Sequence, residues 1–464
     1  MTGEQVRWTT EQVLALAPDA ASQRAGQKLG SPGTWSGTGR RGTALWGLCK
    51  GSGKTPYRTA VDLTEVGTVG FTCSCPSRKF PCKHGLGLLL VRSGDTDGTL
   101  VPEADEAPEW AQKWLDGRRR RAEKTAAPEP RAQPKDEAAA RRRAERRASR
   151  VGEGAQELTR RLTDAVESGL AGAEHSGYQA WEHTAARMVD AQAPGLAARA
   201  GELGAVIGSG RGWPSAALAE MSLLHLLLRG LERVEELPPP LAATVRSRVG
   251  FSSETAAVVA EARQEGSLVR DHWLVVGSER ATGGRVATRS TWLLGRESAR
   301  WALVLDFTAP GTTGEAPMPV GASFEAEVAF HPGAAPLRVT VAERHGAPVP
   351  ESPVPTGGAV GDALAAFGSA VAADPWVDAW PALLSSVVPV HAPAGDGDEG
   401  GGGAGGWQLA DAAGGAAVPV KADESVLWRL LALSGGAPVT VFGRLGVTGF
   451  VPRTVWDAGR AVAL

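Results

Sequence analysis

Cys73-x-Cys75, a gap of six residues and Cys82-x-His84 bring three of the chain's four cysteines and one histidine into one short stretch. Zn2+ takes four such donors in a tetrahedron, and Cys3His is a closed structural set. Residues two apart on an extended segment point the same way, so Cys73 and Cys75 can share one side of a strand end. Pro76 and Pro81 bracket a tight return that brings Cys82 and His84 back to the same point. The run Leu86, Leu88, Leu89, Leu90, Val91 reads as a short buried helix with His84 in its first turn, where the helix dipole favours thiolates. Gly85 and Gly87 each weaken a helix interior by roughly 1 kcal/mol against Ala, so this helix is expected to depend on the metal and on packing. Ordinary buried thiols, or a disulfide between two of the three, are the alternatives. Clustering with a histidine at ligand spacing favours the metal, and nothing in the chain points to an oxidising compartment. Cys49, on an expected strand, is read as a core residue spare to the set. Four protein ligands leave no open position for catalysis, so the expected cofactor is one structural Zn2+.

Arg78, Lys79 and Lys83 fall inside the same stretch and are the candidate phosphate contacts of a nucleic-acid interface. Between 113 and 150 there are fourteen Lys and Arg against six Asp and Glu. The blocks Arg118–Arg121 and Arg141–Arg147 can neutralise phosphate or be solvated helix faces. Other apparent motifs carry less. Gly51-Ser-Gly-Lys54-Thr55 lacks the first glycine of a phosphate loop and precedes Pro56 and a strand, so it reads as a hairpin. Gly37-Thr-Gly39-Arg-Arg-Gly42 matches a dinucleotide fingerprint by letter but precedes a strand rather than opening a helix, and reads as a mobile loop. His225 reads as a core or groove histidine. His175 and His183 fall on different faces of a helix. Asp396-Gly-Asp-Glu399 lacks the ligand order of a calcium loop. No catalytic constellation is readable, so an enzyme is not expected.

The elements that must position the cysteines follow from local signals. Thr9-x-x-Gln12 is a capping box for a first helix that Pro18 ends. A second helix runs from Asp19 to Gly30, and Ser31–Gly42 reads as a Gly-rich loop. Thr43–Cys49 and Arg58–Leu63 read as strands, with Thr68–Cys75 a third extended piece leading into the cysteines. Trp110 and Trp114, one turn apart, are expected to dock back on this unit. Residues 122–135 are rich in Ala, Pro and Glu and are expected to be disordered, with a helix-competent Ala/Arg stretch after them. From 154 to about 262 the pattern is helical, with Leu158, Leu162, Ala165, Val166 and Leu170 on one face and further helices at 177–192, 195–207, 214–236, 238–249 and 253–264. After His272 it changes to strands at 273–277, 285–294, 300–307, 323–330 and 337–343. Short helices are expected at 360–372 and 374–386, strands at 407–410 and 418–421, a helix at 423–433 and a last strand at 439–443. The fold class expected is α+β multidomain: residues 1–121 hold the N-terminal helices and finger (core 44–91), 122–153 a basic Ala/Arg/Pro-rich linker, 154–270 a helical domain and 271–464 a mixed α+β domain.

The formal net charge of −2 argues against a nucleic-acid-coating protein, although the charge is uneven. The first eighteen residues carry Glu4, Arg7 and Glu11 and lack the apolar core of a secretory signal. No apolar run approaches the roughly 20 residues that span a bilayer, so a soluble cytoplasmic protein with no membrane partner is expected.

The text GLCKGSGKTPYRTAVDL followed by FTCSCPSRKFPCKHGLGLLL resembles the SWIM zinc finger of stand-alone bacterial proteins, over about residues 44–91. Weaker likeness extends on both sides, notably to WEHTAARMVDAQAPGLA at 181–197. The resemblance implies a structural Zn2+ and a DNA- or protein-interaction module. It also implies, as the competing reading, a non-catalytic protein–protein adaptor, since such proteins tend to be encoded beside AAA+ ATPases and von Willebrand A-type proteins.

Overall fold

A computed structural model describes residues 8, 10–17, 20–51, 55–63, 69–77, 81–126, 134–170, 173–210, 212–281, 287–308, 319–349, 353–392 and 406–464. The chain is a mixed α+β protein: a small N-terminal α/β unit, a helical middle and a β-rich C-terminal region.

The N-terminal unit begins with helices α1 (Thr10–Ala15) and α2 (Ala20–Leu29). An antiparallel four-stranded sheet follows, β1 (Trp35–Arg41), β2 (Ala44–Cys49), β3 (Tyr57–Asp62) and β4 (Gly70–Cys73), in sequential order. Helix α3 (Lys83–Gly94) packs on one face of this sheet with α1 and α2. Side chains alternate across strands, and Leu45, Val61 and Phe71 meet Leu86, Leu88, Leu89 and Val91 in a core closed by Val13 and Leu16. The opposite face carries Trp46 and Ala60, covered by Ala111, Trp110 and Trp114 of α4 (Glu109–Ala126). The tryptophan pair thus docks on the finger sheet.

Strand β1 corrects the expected mobile loop at Ser31–Gly42. Gly39 serves close approach: a Cβ there would lie 2.8–2.9 Å from the Trp46 indole. The backbone crosses that ring and pairs with β2 from Trp35↔Cys49 to Arg41↔Ala44.

Helix α5 (Pro134–Glu167) runs through the expected linker boundary at 153. The stretch lacks an internal breaker strong enough to stop it, and residues 134–153 are helix continuous with the domain that follows. Of the segment expected to be disordered, 127–133 lies outside the described residues. Helices α6 (Ala173–Asp190), α7 (Pro194–Val206), α8 (Trp213–Glu232) and α9 (Pro239–Val249) complete a bundle around Leu158, Leu162, Trp181, Leu196, Leu224 and Val245. His225 is exposed on α8 rather than in the core, because the buried ridge of that helix runs through Met221, Leu224, Leu227 and Leu228.

Helix α10 (Thr255–Glu265) leads into a closed barrel of β5 (Val269–Ala281), β6 (Ala287–Gly295), β7 (Trp301–Thr308), β8 (Ser323–Phe330) and β9 (Arg338–Val349). The order is β5-β6-β7-β9-β8, with β7 and β9 parallel, the connectivity of a five-stranded Greek-key barrel of the OB type. Trp273, Val275, Leu293, Phe324 and Val328 fill it, and Val258 and Ala262 of α10 pack on Ala329.

Helix α11 (Val360–Ala373) comes next, followed by β10 (Ala379–Ala392), β11 (Gly406–Asp411) and β12 (Ala417–Pro419). Helix α12 (Glu424–Ser434) and β13 (Val439–Gly446), β14 (Gly449–Asp457) and β15 (Arg460–Ala463) close the chain. The sheet order is β12-β11-β10-β13-β14-β15. The helix expected at 374–386 is instead a turn and the first half of β10. Pro381 is incompatible with a helix interior, and Leu383 and Leu384 pair with Phe442 and Val441 of β13. Two strands follow the one expected to be last.

Barrel and sheet share a seam in which Phe442 lies 6.2 Å from Trp292 and 5.6 Å from Trp301, ring centre to ring centre. The bundle is fastened to the β-rich region by Trp376, which is buried in the bundle core and donates its indole N–H to the Leu223 carbonyl at 2.8 Å. Arg248 pairs with Asp374 at 2.7 Å beside it. Among the described residues no helix is long and apolar enough to cross a membrane.

Candidate metal centre

Strand β4 ends on Cys73, and Cys75 follows two residues later. Cys82 is the N-cap of α3, and His84 is the second residue of that helix. The sequence pattern is thereby closed into a point: the four ligand atoms all lie within 4.8 Å of one another. His84 Nδ1 is 3.5 Å from Cys73 Sγ and 3.9 Å from Cys82 Sγ. A tetrahedron built on Zn–S and Zn–N bonds of ordinary length sets neighbouring donors about 3.5–3.8 Å apart. The donor set therefore fits one zinc ion, held by Cys73, Cys75, Cys82 and His84.

The surroundings hold the donors in place. Thr59 Oγ1 lies 3.3 Å from Cys73 Sγ, an outer contact that orients the sulfur. The Tyr57 ring packs on His84 at 4.8 Å. The two helix glycines of α3 are explained by packing rather than by propensity. A Cβ on Gly85 would lie 2.6 Å from the Phe71 ring, and one on Gly87 would lie 2.7 Å from Leu29 Cβ. Phe71 stands two residues before Cys73, so Gly85 lets α3 approach the strand that delivers the first ligand.

Thiols this close cannot all ionise without a cation. Cys73 is pushed up to about 12, first by the hydrogen bond it donates to Cys82 and then by burial. Cys82 is drawn below its ordinary value by the same hydrogen bond, with help from the backbone N–H groups of Gly85 and His84 against the opposing effect of burial. Burial also raises Cys75. A bound divalent cation supplies the charge that lets the three thiolates coexist. Cys49 is buried, and its thiol is raised by burial and then by Cys73. It lies outside the four-donor cluster.

Of the three basic residues that the sequence grouped together, one is described. Lys83 is exposed between two ligands, while Arg78 and Lys79 lie outside the described residues. Arg118, at the head of one arginine block, is a structural residue. Its Nε donates to Asp62 Oδ2 at 3.0 Å, and its guanidinium lies 5.5 Å from the Trp114 ring centre. A Cβ on Gly70 would meet the guanidinium, so the glycine leaves room for the arginine to lie across β4. The β6–β7 face, which barrels of this connectivity use for oligonucleotides, is largely closed here: Trp292, Trp301 and Leu303 pack in the seam with the second sheet.

Residues 57–93 match the SWIM zinc finger family, and residues 146–249 match the SWIM-associated four-helix bundle domain. No curated protein and no solved structure matches the chain. The first match contains all four ligands. The second covers α6 to α9 with the C-terminal part of α5.

Proposed function

We propose that this chain, a SWIM-type zinc finger protein, uses its finger as a structural interaction module that docks on DNA. The observation that carries the reading is the position of Lys83. It is exposed and stands between Cys82 and His84, so the metal fixes where its charge points. Four protein donors close the coordination sphere, which suits a structural ion rather than a catalytic one. Metal binding then contributes folding free energy to the ligand loop and the start of α3. Arg78 and Lys79, five and four residues earlier in the sequence between Cys75 and Cys82, are the further cations that the reading assigns to the contact.

The test is fluorescence anisotropy of the full-length zinc-loaded protein on a labelled DNA duplex. Affinity is expected to fall steeply as salt rises, and to drop at least tenfold when Arg78, Lys79 and Lys83 are all replaced by glutamate. Absence of binding at low salt sinks the reading. The alternative is then a protein–protein adaptor working with an AAA+ ATPase and a von Willebrand A-type protein, identified by a partner that co-purifies with the reversed finger.

A further inference from the structure

Helix α5 has two halves of opposite character. Its C-terminal half buries Val151, Ala155, Leu158 and Leu162 in the bundle. Residues 141–150 contribute nothing to any core, and all but the half-buried Arg147 are exposed. They hold six arginines against the single Glu145.

Two of these arginines fasten the half-helix to the domain. Arg147 donates to the carbonyls of Gly250 at 2.8 Å and Gln192 at 3.4 Å, with its guanidinium 4.8 Å from the Phe251 ring centre. Arg150 donates to Gln192 Oε1 at 2.9 Å. Gly250 caps the C-terminus of α9 and Gln192 follows that of α6. Both are helix ends where the backbone dipole favours a cation.

Arg142, Arg143 and Arg146 take part in no ion pair among the described residues. Together with Arg147, Arg150 and Phe251 they line an open groove of 1220 Å³. Arg142, Arg146 and Arg150 recur every fourth residue, so they form one row with steps of about 6 Å along the axis. Ala144 and Ala148 stand between the arginines. Small side chains there let another backbone approach the helix closely.

We propose that this arginine row is a second, sequence-independent contact for the phosphate backbone of duplex DNA. The inference rests on the DNA reading of the finger and adds a separate site to it. Guanidinium is the planar fork that meets phosphate with paired hydrogen bonds, and the row contains arginine with no lysine. A protein partner would call for buried aromatic or aliphatic anchors, and the one large apolar side chain in the groove, Phe251, lies beneath Arg147. The same lack of a free aromatic platform disfavours single strands, which are held by stacking. The chain is net negative overall, so the patch is a local feature rather than general basicity.

The experiment compares three full-length proteins on a duplex DNA of arbitrary sequence: the natural chain, the finger reversal described above, and Arg142→Glu/Arg143→Glu/Arg146→Glu. The three arginines are exposed, so the α5 variant is expected to keep the circular dichroism and melting temperature of the natural chain. Each phosphate contact adds about 0.9 to the slope of log affinity against log salt. The α5 variant is therefore expected to lose close to three units of slope. Between 50 and 200 mM salt its affinity should fall about 40-fold less than that of the natural chain. An unchanged slope and affinity in the α5 variant, with binding lost in the finger variant, overturns this inference and leaves the finger reading standing. Loss in the α5 variant alone supports it and removes the finger contacts. No binding by the natural chain overturns both. Equal binding to poly-glutamate, or to an RNA duplex in preference to DNA, overturns the assignment to DNA.

Discussion

Arg118→Ala is expected to loosen the zinc finger from a distance. The Asp62 carboxylate that it pairs with is only 4 % exposed, and the arginine side chain itself is 12 % exposed. Removing one partner of a buried pair leaves an uncompensated charge, a loss of roughly 3–5 kcal/mol. The arginine also covers Gly70 and faces Trp114, so its removal uncovers the sheet face that α4 seals. Asp62 ends β3 and pairs with Gly70, the first residue of the strand that carries Cys73. Local opening of β3 and β4 should become about 100- to 4000-fold more frequent, at 1.4 kcal/mol per decade. Amide hydrogen exchange in β3 and β4 of the zinc-loaded full-length chain measures this directly, and the rate of zinc transfer to a chelator follows it. The paired variant Asp62→Asn/Arg118→Gln removes both charges and keeps hydrogen-bonding groups, so it should recover most of the loss. The reasoning is refuted if Arg118→Ala accelerates exchange less than tenfold, or if the paired variant opens as readily as the single one.

Cys82→Ser should lower the zinc content from about one per chain to near zero and abolish protection of β4 and α3 amides; full metal retention by mass spectrometry would contradict the four-donor site. Trp376→Ala removes a buried indole and its hydrogen bond to Leu223, a loss of about 3–5 kcal/mol; thermal melts should then show the bundle unfolding apart from the β-rich region, and a single unshifted transition would refute that coupling. His331, whose Nε2 lies 3.0 Å from Thr340 Oγ1, is lowered to about 4 by burial and then by Arg338. Its folded value lies below the unfolded one, so the unfolded state takes up the proton first. Stability should fall as pH drops from about 6.5 to about 4. Denaturant melts of His331→Gln should lack that part of the pH dependence.

The zinc ligands were legible in the sequence because coordination depends on residue type and short spacing. Three cysteines and a histidine in one return loop define a donor set before any tertiary contact is known. Helices with an apolar ridge, such as the one carrying Leu158 and Leu162, were legible for a similar reason, since a 3.6-residue period is a local property. Even the family likeness of the finger rests on a contiguous stretch. What was not legible depended on contacts between distant segments. Gly39 reads as part of a loop until Trp46 is placed beneath the strand. Gly85 and Gly87 read as helix defects until Phe71 and Leu29 are seen against them. Residues 379–386 carry one local argument against a helix, Pro381, but their strand state comes from pairing with β13 some sixty residues away. Charge is the sharpest example. Arg118 and Arg142 sit in similar arginine runs, yet one is buried against Asp62 while the other lines an open groove. The sequence by itself determined the metal and its ligands. Only the tertiary structure decided which cations are fastened to the protein and which stand exposed to solvent, because an ion pair depends on distance in space and on the water removed around it.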